Sequence, residues 1–190
     1  MKVLIDTNVL YPTVMREVVL GVAATGAFTP LWSARILEEW ARAARKLGPG
    51  GEAQARAEIA ELREAWPQAE VTWPESLAKR LWLPDPNDVH VLAAAIAGSA
   101  DVIVTVNAKD FPRGTLAEEG LSRADPDSFL LGHFQASPEI VKLAAENVLA
   151  EARRLSGEEW QMRPLLKKAR LPRLAKALDP GDLAAPAGRC

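Results

Sequence analysis

Cysteine is nearly absent from this chain of 190 residues, and its one copy, Cys190, is the last residue. No internal disulfide can form, which fits a reducing compartment. Histidine is scarce as well, with only His90 and His133. Zinc hydrolases, cysteine nucleophiles and Ser-His-Asp enzymes are therefore poorly supplied. No apolar run approaches the ~20 residues needed to cross a bilayer, and Asp6 interrupts the first hydrophobic stretch before it can read as a targeting segment. The expected location is the cytoplasm, with no membrane partner. The chain has no internal repeat, and its net charge of -2 gives no overall basic signature for nucleic acid.

What is present describes an ordinary globular protein, 48% hydrophobic and 25% charged, long enough for one sizeable core and a small appendage. Charge is distributed unevenly. Residues 151–178 hold eight bases (Arg153, Arg154, Arg163, Lys167, Lys168, Arg170, Arg173, Lys176) against three acids, leaving the rest of the chain at -7. A solvated helical face explains such a segment, and so does a surface for phosphates or an acidic partner.

Lys2-Val3-Leu4-Ile5 reads as a short buried strand ended by Asp6-Thr7-Asn8. Helical spacing follows over 13–24 and, after the N-cap residue Ser33, over 34–47, before Gly48-Pro49-Gly50-Gly51 breaks the chain. A third helix is expected over 52–66, a short strand at 71–73 and a short helix over 74–81. Asp85 caps the next unit, Pro86 suits its first position, and Val89, Leu92, Ala93, Ile96 and Ala97 form one apolar stripe closed by Gly98. Val102–Val106 is then a second buried strand. Strands alternating with helices imply an α/β fold with a central parallel sheet covered on both faces, with ligands gathered at the carboxyl ends of its strands. The rhythm changes at Asp125-Pro126-Asp127. Helices alone are expected afterwards, from Ser137/Pro138, over 157–169 with Pro164 inside, and after Pro172, with a disordered tail from Asp179.

Acids at the strand ends and helix starts carry the chemistry. Asp6, Glu38 or Glu39, Asp88 and Asp110 would repel one another at one sheet edge without a cation, and hard cations such as Mg²⁺ or Mn²⁺ take oxygen ligands. Such sites hydrolyse phosphodiesters. Each acid also has a plainer explanation. Asp85 and Asp88 suit an N-cap and a first helical turn, and Asp110 suits a turn after a strand. Asp6 is the hardest to explain away. Thr7, Asn8, Thr105 and Asn107 are placed to orient the acids as a supporting shell, with Asp85 a further candidate. His90 reads as a partly buried helix residue and His133 as surface or packing. Trp32, Trp40, Trp66, Trp73 and Trp82 lie in or beside apolar patterns and are expected to pack in the core.

The motifs Leu4-Ile5-Asp6-Thr7-Asn8-Val9-Leu10, Ser33 followed by Glu39, Asp88 followed by Leu92-Ala93-Ala94-Ala95, and Val104-Thr105-Val106-Asn107-Ala108-Lys109-Asp110-Phe111 occur in this order. Together they resemble PIN-domain nucleases, most closely the VapC-type toxins of bacterial toxin–antitoxin pairs. The resemblance covers roughly residues 1–130. It implies a PIN-like three-layer α/β/α domain over 1–130, a helical C-terminal extension over 131–178 and a tail over 179–190. It further implies an endoribonuclease dependent on Mg²⁺ or Mn²⁺, with Asp6, Glu39, Asp88 and Asp110 as catalytic metal ligands. The implied partners are an RNA substrate and a small antitoxin, and a homodimer is open. Many relatives have Asp where this chain has Asn107, which puts the fourth ligand between Asn107 and Asp110, with Asp110 preferred. Arg163, Lys167, Lys168, Arg170 and Arg173 are candidates for contacting RNA or the partner. Two other readings are a PIN-like binding scaffold with weak catalysis, and an aspartyl-phosphate phosphohydrolase. The latter would want an acid where Asn8 stands.

Overall fold

The computed structural model describes residues 1–179. Apart from Asp179, the expected tail lies outside the described residues. Four short parallel strands make one sheet in the order β2-β1-β3-β4, with β1 Lys2–Ile5, β2 Thr29–Leu31, β3 Val102–Val104 and β4 Ser122–Ala124. Val3, Leu4 and Ile5 pair with Val102, Ile103 and Val104. Successive strand residues point to opposite faces, and all six of these are buried, so helices cover the two central strands on both sides. This matches the expected architecture.

The expectation for 71–73 does not hold. That segment makes no strand; pairing beside it is a single parallel bridge between Trp32 and Glu70, and Pro74 follows at once. The second strand in chain order is instead β2, with Pro30 inside it. Proline removes a ladder donor, a loss an edge strand such as β2 tolerates. The other edge, β4, has the polar sequence Ser122-Arg123-Ala124 and no apolar run to announce it. β3 is also shorter than expected, although Thr105 N–H still donates to the Ala124 carbonyl at 3.1 Å.

The helices flanking the sheet are α1 Thr7–Leu10, α2 Thr13–Ala24, α3 Ala34–Ala43, α4 Gly51–Ala65, α5 Glu75–Arg80, α6 Val89–Ala97 and α7 Arg113–Glu118. Ser33 caps α3 by accepting from Ile36 N–H at 3.2 Å. Asp85 accepts from Asn87 N–H at 2.9 Å, but the chain first makes a 3₁₀ turn over Pro86–Asp88 before α6 begins. Buried Arg16 ties α2 to α4, donating to Glu58 at 2.8 Å and lying over Trp40.

Residues after β4 form α8 Pro126–Ala136, α9 Pro138–Ser156, α10 Met162–Lys168 and α11 Pro172–Leu178. α8 occupies the point where the sequence rhythm changes: Asp125 is its N-cap, accepting from Ser128 N–H at 2.9 Å, and Pro126 holds its first position. It runs through residues 130 and 131. α9 lies against α2, with Gly21 permitting close approach, since a Cβ there would stand 3.0 Å from the Ala144 Cβ. Gly157, at φ 69°, ends α9 in the left-handed conformation glycine favours. Helix 157–169 of the sequence reading is therefore the shorter α10, and Pro164 falls in its first turn, where backbone N–H groups lack helical partners in any case. Val141, Ala144, Leu166, Leu171 and Leu174 join the same apolar core as the sheet.

Trp32 and Trp40 are buried and Trp66 and Trp73 partly so, as expected, but Trp82 is 67% exposed. It sits in the loop between α5 and the 3₁₀ turn, where Leu83 is buried and Leu81 partly so. His133 packs between Phe28 and Phe129, and its burial holds its pKa below the usual histidine range.

Candidate metal centre

Because β1 and β3 are adjacent and parallel, the residues after each emerge side by side. Asp6 follows β1 and is buried, and its N–H continues the sheet by donating to the Val104 carbonyl at 3.1 Å. Thr105 follows β3 and is fully buried. Its hydroxyl donates to Asp6 Oδ2 at 2.7 Å and accepts from Asn8 Nδ2 at 3.1 Å and from Asn107 N–H at 3.0 Å. Both the donor and the acceptor capacity of the hydroxyl are used. Asn8 donates to Asp6 Oδ2 as well, and its Oδ1 receives Val106 N–H at 3.0 Å. Asn8, Thr105 and Asn107 thus lace the two strand ends together, while the Thr7 hydroxyl reaches α3 at the Ile36 carbonyl and Glu39.

Desolvation raises the Asp6 pKa, and the nearby Glu39 charge pushes the same way against the hydrogen bonds from Thr105 and Thr7. Glu39 comes from the solvent-side margin of α3. Its Oε2 accepts from the Thr7 hydroxyl at 3.0 Å, and its Oε1 lies 3.0 Å from His90 Nε2 and 3.3 Å from Arg35 Nε. Burial raises its pKa, but these three donors outweigh it and hold the group below the ordinary glutamate value. Glu38 points elsewhere, into surface ion pairs with Arg42 and Arg56.

The third group is the densest. Asp85, Asp88 and Asp110 are half-buried, and one carboxylate oxygen of each lies within 4.8 Å of the others. In a 3₁₀ turn, residues three apart eclipse, which brings Asp85 and Asp88 to one side. Asp110 arrives through a second 3₁₀ turn, Ala108–Asp110, and accepts from the Asn107 amide. Asn107 therefore orients Asp110 in this arrangement.

Asp88 is under the greatest strain. Desolvation, then the charges of Asp6, Asp85 and Asp110, lift its pKa to about 6. Its Oδ2 is buried without a hydrogen-bond partner. An orphaned carboxylate oxygen among other carboxylates costs free energy that a cation would recover. The donor set is all oxygen, which suits a hard divalent ion. The residues present fit such an ion.

Asp88 and Asp110 thus meet, and Asp6, with Glu39 near it, lies close enough for its charge to act on Asp88. Asp85, expected only as support, stands with the carboxylates themselves; its three-residue spacing from Asp88 was the signal. His90 and Arg35 are partners of Glu39 that the sequence did not reveal, because apolar periodicity does not say what meets a helix's polar margin. The basic residues are elsewhere. α10 and α11 pack on α2, α8 and α9, none of which carries an acid of the cluster. Arg173 donates to Ser128 Oγ at 2.6 Å, and Lys168 lies over the Trp160 ring.

Among the described residues no helix is long and apolar enough to cross a membrane. No solved structure matches the chain. A 55-residue stretch is 44% identical to "Putative ribonuclease VapC50" of Mycobacterium tuberculosis (strain ATCC 25618 / H37Rv), covering 29% of this chain and 32% of that protein. The match spans about a third of that relative's length. A model of the PIN domain family matches residues 2–109, from β1 to the residue before Asp110. The match covers more than half of the sequence and takes in β1 to β3 with Asp6, Glu39, Asp85 and Asp88, and the chain belongs to the PIN-domain family.

Proposed function

We propose that this protein is a metal-dependent endoribonuclease that hydrolyses RNA phosphodiester bonds, the toxin of a VapBC-like toxin–antitoxin pair acting in the cytoplasm. The observation that carries the reading is the buried, unpartnered Asp88 oxygen inside a carboxylate cluster at the strand ends of a PIN domain. Asp88 and Asp110, with Asp85, would hold Mg²⁺ or Mn²⁺ on one side and Asp6 and Glu39 on the other. The ion supplies charge neutralisation and Lewis acidity toward the phosphate. The chain's own part is to hold these carboxylates in place. Thr105 and Asn8 hold Asp6, Asn107 holds Asp110, and Thr7 holds Glu39. The nuclease unit is assigned to 1–130, and the helices of 131–178 to an extension whose Arg163, Lys167, Lys168, Arg170 and Arg173 serve RNA or an antitoxin. The similarity to the ribonuclease-named relative supports the substrate class.

The test is cleavage of labelled RNA by the full chain with Mg²⁺, with Mn²⁺ and with EDTA, beside Asp6→Asn. Metal-dependent cleavage that falls at least ~100-fold in the variant is expected, with no loss of thermal stability, because the substitution removes a buried charge. Equal cleavage by both proteins would reject the assignment. RNA binding without cleavage under any divalent ion would favour the scaffold reading instead.

A further inference from the structure

His90 is a buried titratable side chain at the centre that the proposed chemistry leaves unused. It is 3% exposed. Its Nε2 lies 3.0 Å from Glu39 Oε1, and its ring stacks against Trp73 at 6.4 Å between centroids with 27° between planes. Its other nitrogen, Nδ1, is buried without a hydrogen-bond partner. A carboxylate only accepts, so Nε2–H is the donor and Glu39 the acceptor.

The neighbours make this bond directional. Glu39 Oε2 is taken by Thr7, whose hydroxyl donates to it and belongs to the turn beside Asp6. Oε1 takes His90 from within and Arg35 from the exposed side, and Arg35 also reaches the Asn87 carbonyl at 3.3 Å, in the turn that carries Asp88. Arg35 is solvent-exposed and free to rearrange, whereas His90 is enclosed by Trp73 and the buried stripe of α6. The rigid constraint on Glu39 from the α6 side is therefore His90. It also sets the distance between α3, which carries Glu39, and the start of α6, which follows Asp88.

We propose that His90 is a positioning residue: its Nε2–H fixes the Glu39 carboxylate relative to Asp88, so that affinity for the divalent ion depends on a side chain that does not itself ligate it. The inference rests on the metal reading of the carboxylate cluster. Partners that orient a ligating group, when lost, typically cost ~10–100-fold in metal affinity.

The test compares His90→Gln, His90→Asn and His90→Leu in the full chain. Glutamine carries its amide nitrogen at the same bond count from Cα as Nε2, whereas the asparagine nitrogen falls at the position of Nδ1. Mn²⁺ binding is measured by electron paramagnetic resonance, and folding by circular dichroism melts. The expected result is Mn²⁺ binding weakened ~10-fold or more in the Asn and Leu variants, with Gln within about three-fold of wild type. A role in packing alone would instead order the variants by volume and melting temperature. Unchanged binding in all three, or Gln as weak as Leu, overturns the proposal. RNA cleavage is read separately: a protein that shows this binding pattern yet cleaves no RNA overturns the nuclease reading and supports the role of His90.

Discussion

Thr105 and Asp6 are 99 positions apart, and the Thr105 hydroxyl donates to Asp6 Oδ2 at 2.7 Å in a site closed to solvent. The Thr105 hydroxyl oxygen in turn receives Asn107 N–H, so one hydroxyl serves the acid that follows β1 and the turn that leads to Asp110. Thr105→Val keeps the shape and deletes the hydroxyl. It strands the Asn107 donor and removes a partner from a buried carboxylate, an expected loss of about 1–3 kcal/mol in unfolding free energy. Urea denaturation measures it, and a loss below ~0.5 kcal/mol would show that the hydroxyl is not the hub described.

Asp88 makes the metal-free protein sensitive to pH in a definite direction. In the unfolded chain its pKa is near the ordinary aspartate value of 3.8, and in the folded chain it is about 6, raised by burial and by Asp6, Asp85 and Asp110. Between these values the folded state holds more protons, so stability from this group is present at low pH and falls as pH rises through the window. Measured in EDTA, the unfolding free energy of wild type minus that of Asp88→Asn should decline from about pH 4 to about pH 6 and then level off. A difference that stays flat across that range would contradict the strained carboxylate. Half-exposure of Asp88 makes the amplitude smaller than the shift alone suggests.

Adding Mn²⁺ at pH 7 should reverse that penalty. Wild type is expected to gain several degrees in melting temperature, by binding to the folded state alone, and Asp88→Asn or Asp110→Asn much less. Equal gains in all three proteins would place the ion elsewhere.

Gly21 admits α9 onto α2. Gly21→Val forces side-chain atoms into the Ala144 Cβ, which would already stand 3.0 Å from an added Cβ. Overpacking of this kind costs about 1–3 kcal/mol. Ala144→Gly in the same chain should recover part of the loss, a coupling that a double-mutant cycle reads directly. Additive effects would mean that the two helices do not meet at this point.

Asp127 fastens the C-terminal helices by a bond the linear order conceals. Buried in α8, it accepts from the N–H groups of Arg173 and Leu174 at 2.8 and 2.9 Å, capping α11 from 46 and 47 residues away. Asp127→Ala leaves both donors unsatisfied and should cost about 1–3 kcal/mol, measured by denaturant unfolding, while Asp127→Asn retains one acceptor and should cost less.

The parts of the fold that could be read in advance were those with strong periodicity and clear punctuation. β1 and β3 are apolar throughout because both their faces are covered, and α3 and α6 carry Ser33 and Asp85 at their heads. The edge strands were invisible for the opposite reason. An edge needs pairing on one side only, so β2 tolerates Pro30 and β4 needs no apolar run. α8 was missed because Asp125-Pro126 looks like a break, although the pair is also a helix start. In the site, Asp6 and Asp110 follow from strand ends in a parallel sheet. Glu39 over Glu38 came from the family resemblance, and their pairing with His90 or with Arg42 and Arg56 depends on how α3 is rotated against its neighbours.

The strand order has a bearing on synthesis. Because β3 inserts beside β1 while β2 takes the other side, Asp6 leaves the ribosome about a hundred residues before Thr105 and Asp110 can join it. A nascent chain shorter than this holds its first carboxylate beside an unpaired strand edge, with no cage to complete. Assembly of the centre is therefore timed by the slow, non-local pairing of β1 with β3, and premature termination anywhere upstream of Asp110 leaves the carboxylate cluster incomplete.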